Sequence, residues 1–499
     1  MCLEGEKRQV QLVELVMADD KINDADQNKN DSDTVTNDIL TEAKKLLAEG
    51  KIEDSLKLVK SYWLENPDDS EAADLFSELM KESGRSELSK RLHTLAEQLP
   101  LVSHPTGSGT LSVTESEDDE EEDDEEEADD LDDEEKAPSE IAHHPPGGKE
   151  FFEAGFSLID ARQHELAAML LNRAARIAPQ EPTVNYELGF ALMSMKRFEQ
   201  AIPHLEQALD QGADFDTLLN LLVCYTLTRQ LDKAHGMLAK MNSLSLDAEQ
   251  KKEVSHRLSV LKRLESLRSK AKLNTRDWLF ALYGSVLLRP STSEDKTKED
   301  PHSIGQMLAV MKGVLDGLSA TPEAVEFYGP QSHPLAQSLA EFLEIPITGY
   351  KGPEQPVQAL LVMTWASDII GPHKSFVTKE KNRSIFSYGL TWDEALPVVP
   401  EIVGTLAYEE LMPWNENKAN GSASPNLQVA GSSQRNFTPQ IEKSYKAILA
   451  DARDLESDPR TIKFVQEALD YYDNKKQQLM LCNPDAFAFR PEYTAEVVD

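Results

Sequence analysis

Small residues recur along residues 148–247 at a step that few folds accommodate. Ala167, Ala201 and Ala234 stand 34 and 33 residues apart, Gly155 and Gly189 stand 34 apart, and Ala174 and Ala208 repeat the same step. Leucines at helical spacing fill the intervals: Leu158 and Leu171, then Leu192 and Leu205, then Leu238. A period near 34 with this texture predicts stacked helix–turn–helix units. A small side chain at a fixed place in each helix lets paired axes approach, where a larger one would overpack the contact. Gly155, Ala167, Ala174, Gly189, Ala201, Ala208 and Ala234 are therefore the expected repeat-packing residues. A fainter copy of the plan precedes them. Gly50 and Gly84 are 34 apart and Pro67 and Pro100 are 33 apart, with Leu46, Leu47, Leu56, Val59, Tyr62 and Trp63 on the predicted buried seam.

This pattern resembles the tetratricopeptide repeat (TPR) family, whose units ask for a small residue at position 8, alanine at positions 20 and 27, and proline at position 32. Gly155, Ala167, Ala174 and Pro179 meet it in one unit, and Gly189, Ala201 and Ala208 in the next. The third unit departs, with Leu222 at position 8 and Met241 at position 27. The N-terminal pair carries Ser55 and Ser89 at position 20.

The resemblance implies a concave face lined by first-helix positions 2, 5, 9 and 12. Its aromatic and apolar part is Phe152, Phe156, Ile159, Tyr186, Phe190, Met193, Leu219 and Val223. Lys149, Thr183, Asp216 and Thr226 complete it. Such a face implies a protein or peptide ligand with apolar anchors. Relatives that clamp a terminal carboxylate place Lys and Asn where Phe152 and Phe156 stand here, so that ligand is not expected. The three-unit block also resembles the three-TPR secretion chaperones.

Between the two sets of helices, 18 of the 21 residues from Glu115 to Glu135 are acidic. The net charge of the chain is −38, so about half of it lies in this run. An acidic field excludes nucleic acid as a partner and admits a basic protein. The run reads either as a solvated spacer holding two helical modules apart or as a capture surface for basic partners, as in acidic histone chaperones, which it resembles in composition. Cys2, Cys224 and Cys482 form no framework or metal pair, which points to a reducing, cytoplasmic setting. No apolar run is long enough to predict a membrane span.

Beyond residue 275 strands and helices alternate. "DWLFALYGSVLL", "AVEFYG", "QALLVMTWASD" and "SIFSYGL" read as strands; "SIGQMLAVMKGVLDGL", "HPLAQSLAEFLEIP" and most of "WDEALPVVPEIVGTLAYEEL" read as helices. That alternation predicts an α/β domain with a mostly parallel sheet. Ser332, between a strand and a helix, is the expected N-cap. The strand–loop–helix plan resembles phosphoribosyltransferases, but Thr364 and Trp365 stand where their acidic pair belongs. His333 and His373 lack placed partners, and no P-loop or dinucleotide fingerprint occurs. No catalytic, metal or cofactor residues are assigned.

The expected organisation is a disordered N-terminus (1–35), a degenerate TPR-like module (36–100), an acidic disordered linker (101–147), three TPR units with a capping helix (148–272), and an α/β domain (275–412). A linker (413–437), C-terminal helices (438–479) opened by Thr438-Pro439 and Asp458-Pro459, and a loose tail (480–499) follow. The function that fits is an interaction scaffold or chaperone-like adaptor. The alternatives are an enzyme targeted by its repeats, an acidic chaperone for basic proteins, and a secretion chaperone.

Overall fold

Helices end on a residue in the left-handed backbone region at Gly50 (φ 75°), Gly84 (80°), Arg162 (58°), Lys196 (61°) and Arg229 (59°). Gly50 and Gly84, and Arg162 and Lys196, stand 34 residues apart, and Arg229 follows Lys196 by 33. The amide of Gly50 donates to Leu47 O and that of Lys51 to Leu46 O, each over 2.9 Å. Arg162 and Gln163 do the same toward Ile159 and Leu158 over 2.8 Å. This Schellman arrangement closes the first helix of a pair by satisfying carbonyls that the helix itself leaves open. Glycine adopts the conformation without a Cβ conflict, whereas Arg162, Lys196 and Arg229 carry a cost of about 1 kcal/mol each. The two N-terminal pairs share this turn with the later helices.

The structure is a computed structural model and describes residues 32–99, 147–289, 299–350, 357–369, 382–406, 412–414 and 439–484, apart from 211, 213, 392–395 and 397. The acidic run lies outside these residues, as do the first 31 residues, nearly all of the expected linker 413–437, His373 and the tail beyond Pro484. Residues 1–195 fall in one compact unit and 196–499 in another.

In the first unit, α1 (Ser32–Ala48) pairs with α2 (Ile52–Glu65), α3 (Ser70–Glu82) with α4 (Ser86–Gln98), and α5 (Gly148–Asp160) with α6 (His164–Ile177), followed by α7 (Pro182–Ser194). Serine replaces the small packing residue in the early pairs, and its hydroxyl is absorbed. Ser55 Oγ donates to Ala43 O over 2.7 Å and Ser77 Oγ to Ser89 O over 2.8 Å. Helix α4 packs on α5, and α2 touches α6. Arg85 donates to Ala161 O (3.1 Å), Arg91 to Ser157 Oγ (2.9 Å), and Lys60 pairs with Glu165 (2.5 Å). The helices before and after the acidic run thus pack against each other, while the run itself lies outside the described residues.

The second unit opens with α8 (Phe198–Leu209), α9 (Phe215–Leu227), α10 (Leu231–Asn242) and α11 (Ala248–Ser266). Asp247 and Gln250 cap α11 reciprocally, over 2.8 and 3.1 Å. The helix does more than cap the repeats. Its fully buried Arg263 donates to Ala281 O and Leu282 O over 2.8 and 2.9 Å, serving the open carbonyls at the end of α12 (Thr275–Tyr283). Burial lowers the Arg263 guanidinium pKa to about 9. The apolar run read as a strand from Asp277 is thus a helix. An Asn274–Asp277 capping box starts it and Gly284 (φ 69°) stops it, leaving only Val286–Leu287 as strand β1.

A six-stranded sheet follows in the order β1-β6-β5-β4-β2-β3, and every neighbouring pair is parallel. Its strands are β2 (Ala324–Phe327), β3 (Ile347–Gly349), β4 (Ala359–Trp365), β5 (Arg383–Leu390) and β6 (Ile402–Leu406). β6 lies in a stretch expected to be mostly helical. Pro400 precedes it, and Gly404 packs so closely that a Cβ would meet Tyr388 O at 2.5 Å. Helices α13 (Pro301–Leu318), α14 (Gly329–Leu343), α15 (Pro439–Leu455) and α16 (Pro459–Tyr472) pack together, with α14 against β2 and β4.

Gly305 admits the Asp451–Ala452 backbone of α15, and Gly317 admits Leu469 of α16, each closer than a Cβ would allow. Asp458 caps α16 through Arg460 and Thr461 amides, as Asp458-Pro459 predicts. The beginning of the expected loose tail is anchored, since Met480 is buried and its amide donates to Gly284 O over 3.0 Å.

Candidate functional site

Helix α5 presents Phe152, Phe156 and Ile159 at intervals of four and three, so the three share one face. Phe152 and Phe156 stack with ring centroids 6.0 Å apart. Phe156 is 38% exposed, and Phe152 and Ile159 are half-buried. Helix α7 repeats the spacing with Tyr186, Phe190 and Met193, all half-buried. α7 lies beside both α5 and α6 in the first unit. In the second unit, Leu219 of α9 is half-buried, while Val223 is 6% exposed and belongs to the interior.

Behind these rings the helices are held close. A Cβ on Gly155 would lie 2.7 Å from Leu171 Cγ and 3.3 Å from Ala167 O. Ala167, Ala174, Ala201 and Ala234 are fully buried, and Gly189 and Ala208 are buried too. The packing fixes the backbone of α5 while its opposite face keeps large apolar side chains in partial contact with water. Such side chains gain most by meeting another apolar surface.

Two carboxylates flank the rings, and the family positions drew no notice to them. Asp160 follows Phe156 by four residues, and Glu187 precedes Phe190 by three. Burial, and next the Asp160 carboxylate, raise the Glu187 carboxyl above its ordinary range. Among the described residues neither carboxylate makes a hydrogen bond or ion pair, whereas Glu153 lies 3.9 Å from Lys149. The helical spacing carried this signal, because it places both acids beside aromatic positions.

The strand ends of the sheet carry the other residues singled out. Ser332 does not cap α14. Tyr328 holds that place, and Ser332 sits within the first turns with its buried hydroxyl accepting from the Thr364 amide over 3.0 Å. The Trp414 indole donates to Gln331 O over 2.9 Å. His333 stacks on Phe327 at 4.0 Å, and Trp365 covers Gly389.

A tetratricopeptide repeat family model matches residues 158–222, the stretch that holds Ala167, Gly189 and Ala201. This stretch carries tetratricopeptide repeats. Repeats of this family imply a protein–protein interaction scaffold. Among solved structures, the chain is similar to PilF of Pseudomonas aeruginosa (12% identity, 47% of this chain and 86% of that one, TM-score 0.24). It is also similar to a thermophilic TPR protein of Thermus thermophilus (16%, 45% and 98%, 0.22). A third similar structure is YrrB, a TPR protein with an unusual peptide-binding site (14%, 42% and 87%, 0.23). No curated protein matches the chain. Among the described residues, no helix is long and apolar enough to cross a membrane.

Proposed function

We propose that the TPR units act as a chaperone-like adaptor in the cytoplasm, holding a partner peptide against the aromatic face of the first unit. The observation that supports this is the persistent exposure of apolar rings at one set of positions. Phe152, Phe156, Tyr186 and Phe190 all stay in contact with solvent, while Ala154, Leu158, Leu188 and Ala191 of the same two helices are buried. Aromatic side chains on a rigid helical frame are the usual anchors of an interface, since they bury large apolar area at small entropic cost.

The test compares the full-length chain with a Phe156→Ala/Phe190→Ala variant. Both are immobilised and exposed to lysate from the source cells, and their melting is followed by circular dichroism. A protein retained by the wild-type chain and lost from a variant that melts at the same temperature supports the reading. Equal retention by both overturns it, and so does a large drop in melting temperature, which would place these rings in the core.

A further inference from the structure

Three cations gather round one tyrosine ring in the second unit, in a chain whose net charge is −38. Lys475 Nζ lies 4.2 Å from the Tyr471 ring centroid, Lys270 Nζ 5.0 Å and Arg276 Cζ 5.8 Å. They come from three elements: the loop after α11, the first turn of α12, and the 3₁₀ turns Asp473–Gln478 that continue α16. One carboxylate serves the group. Asp277 Oδ1 accepts from Lys270 Nζ over 2.6 Å and from the Tyr471 hydroxyl over 2.7 Å, and its Oδ2 accepts the Asn274 amide over 3.0 Å. Three cations against one carboxylate leave an excess of two positive charges. The donors are as unbalanced as the charges. Arg276 has five N–H groups. Among the described residues only Leu288 O accepts from them, 3.3 Å from Nη2, and the buried Nε has no partner. Lys270 uses one of its three donors, and Lys475 two, on Tyr471 O (2.6 Å) and Asn474 Oδ1 (3.2 Å). A buried cationic donor without an acceptor gives up hydration with nothing in return. Burial, and next the Lys270 charge, hold the Lys475 amine below its ordinary value. Arg276 reaches Leu288 just past β1, so the cluster adjoins the carboxyl end of that strand, the side on which parallel sheets hold ligands.

We propose that Lys270, Arg276 and Lys475 bind a compact dianion of the phosphate class. A phosphate group carries about two negative charges near neutral pH and offers several acceptor oxygens, which matches both the excess charge and the open donors. A monocarboxylate would leave one charge uncompensated. The Arg276 guanidinium supplies a planar fork, and the two amines supply point charges. The Tyr471 ring, held by its hydroxyl on Asp277, is the floor on which the three meet. This site belongs to the second unit and does not depend on the aromatic face of the first. Its occupant also ties the loop after α11 to α12 and to the end of α16, so binding adds to the stability of that unit.

The experiment titrates the full chain with inorganic phosphate, sulfate and acetate at one ionic strength set with chloride. Heat is followed by calorimetry, and amide hydrogen exchange by mass spectrometry. The expected result is saturable binding of phosphate and sulfate, none of acetate, and slower exchange at 268–278 and 470–478. Arg276→Gln with Lys475→Gln should weaken phosphate about tenfold or more, as for loss of charge-assisted contacts. Lys252→Gln, elsewhere on α11, should leave it unchanged. Phosphate that binds no better than acetate, or that slows exchange only outside these two segments, overturns the proposal. Undiminished affinity in the double variant overturns it as well. Should that variant fail to fold, the exchange pattern of the unaltered chain decides alone.

Discussion

The Ser77 hydroxyl on α3 donates to the Ser89 carbonyl on α4 over 2.8 Å, and the two hydroxyl oxygens lie 3.1 Å apart in the buried seam between the helices. Family members place alanine where Ser89 stands, so the polar pair replaces close apolar contact with a hydrogen bond. Ser77→Ala should lower stability by about 1 kcal/mol, the net worth of such a bond. Ser89→Ala should cost less, because the carbonyl that Ser77 uses remains. Urea unfolding of the two variants checks the order; a larger loss for Ser89→Ala would show that its hydroxyl carries the contact.

Gly84 and Gly155 are both expected to resist alanine, for different reasons. At Gly84 the added methyl meets nothing within 4 Å, and only the backbone angle of 80° opposes it. Gly84→Ala should therefore cost about 1 kcal/mol. At Gly155 the methyl meets Leu171, and the cost should be about 1–3 kcal/mol from overpacking. In a double-mutant cycle, Leu171→Ala should cost less on the Gly155→Ala background than alone, and the same on the Gly84→Ala background as alone. Thermal unfolding of the double variants decides this.

Glu326 on β2 and Arg383 on β5 pair over 2.6 Å across the intervening β4, both side chains with no exposure, and the Tyr350 ring lies 4.9 Å from the guanidinium. Glu326→Gln should destabilise the sheet by about 3–5 kcal/mol, since it leaves a buried charge without its counter-charge. Glu326→Leu with Arg383→Met should be milder than either single change. Equal losses for the single and double variants, measured by denaturant unfolding, would contradict this account.

Stability of the second unit should fall as the solution is acidified below about pH 6.5. Burial, and then the Arg257 and Arg263 charges, hold the His256 imidazole well below its ordinary value of 6.5, and burial lowers His204 as well. The unfolded chain takes up protons at these sites that the folded chain refuses, so stability is full above pH 6.5 and declines as pH falls toward the folded-state values. His256→Gln should flatten that decline. An unchanged slope in pH-dependent unfolding would assign the acid sensitivity elsewhere.

The repeats were legible where Gly155, Ala167 and Ala201 mark the helix contacts. They were fainter at Ser55 and Ser89, where a hydroxyl satisfied inside the seam replaces a methyl. The sheet was legible through β2, β4 and β5. At the two-residue β1 and three-residue β3 there is too little chain for alternation to show. The run from Asp277 was ambiguous because a buried helix and a buried strand are equally apolar; the deciding marks were the polar cap at Asn274 and the stop at Gly284. The aromatic positions of the candidate site followed from the repeat register. The Asp160–Glu187 relation depends on two helices meeting, which spacing within one helix does not reveal.

The two units differ in how soon their contacts can form on a growing chain. The two helices of each pair in the first unit lie within a few tens of residues of each other, so each pair can form as it leaves the ribosome. β1 has no such local partner: Val286 pairs with Ile402, and the Leu287 amide donates to the Tyr472 hydroxyl, 185 residues later. The helical pairs can therefore form while the sheet that follows them is still being translated.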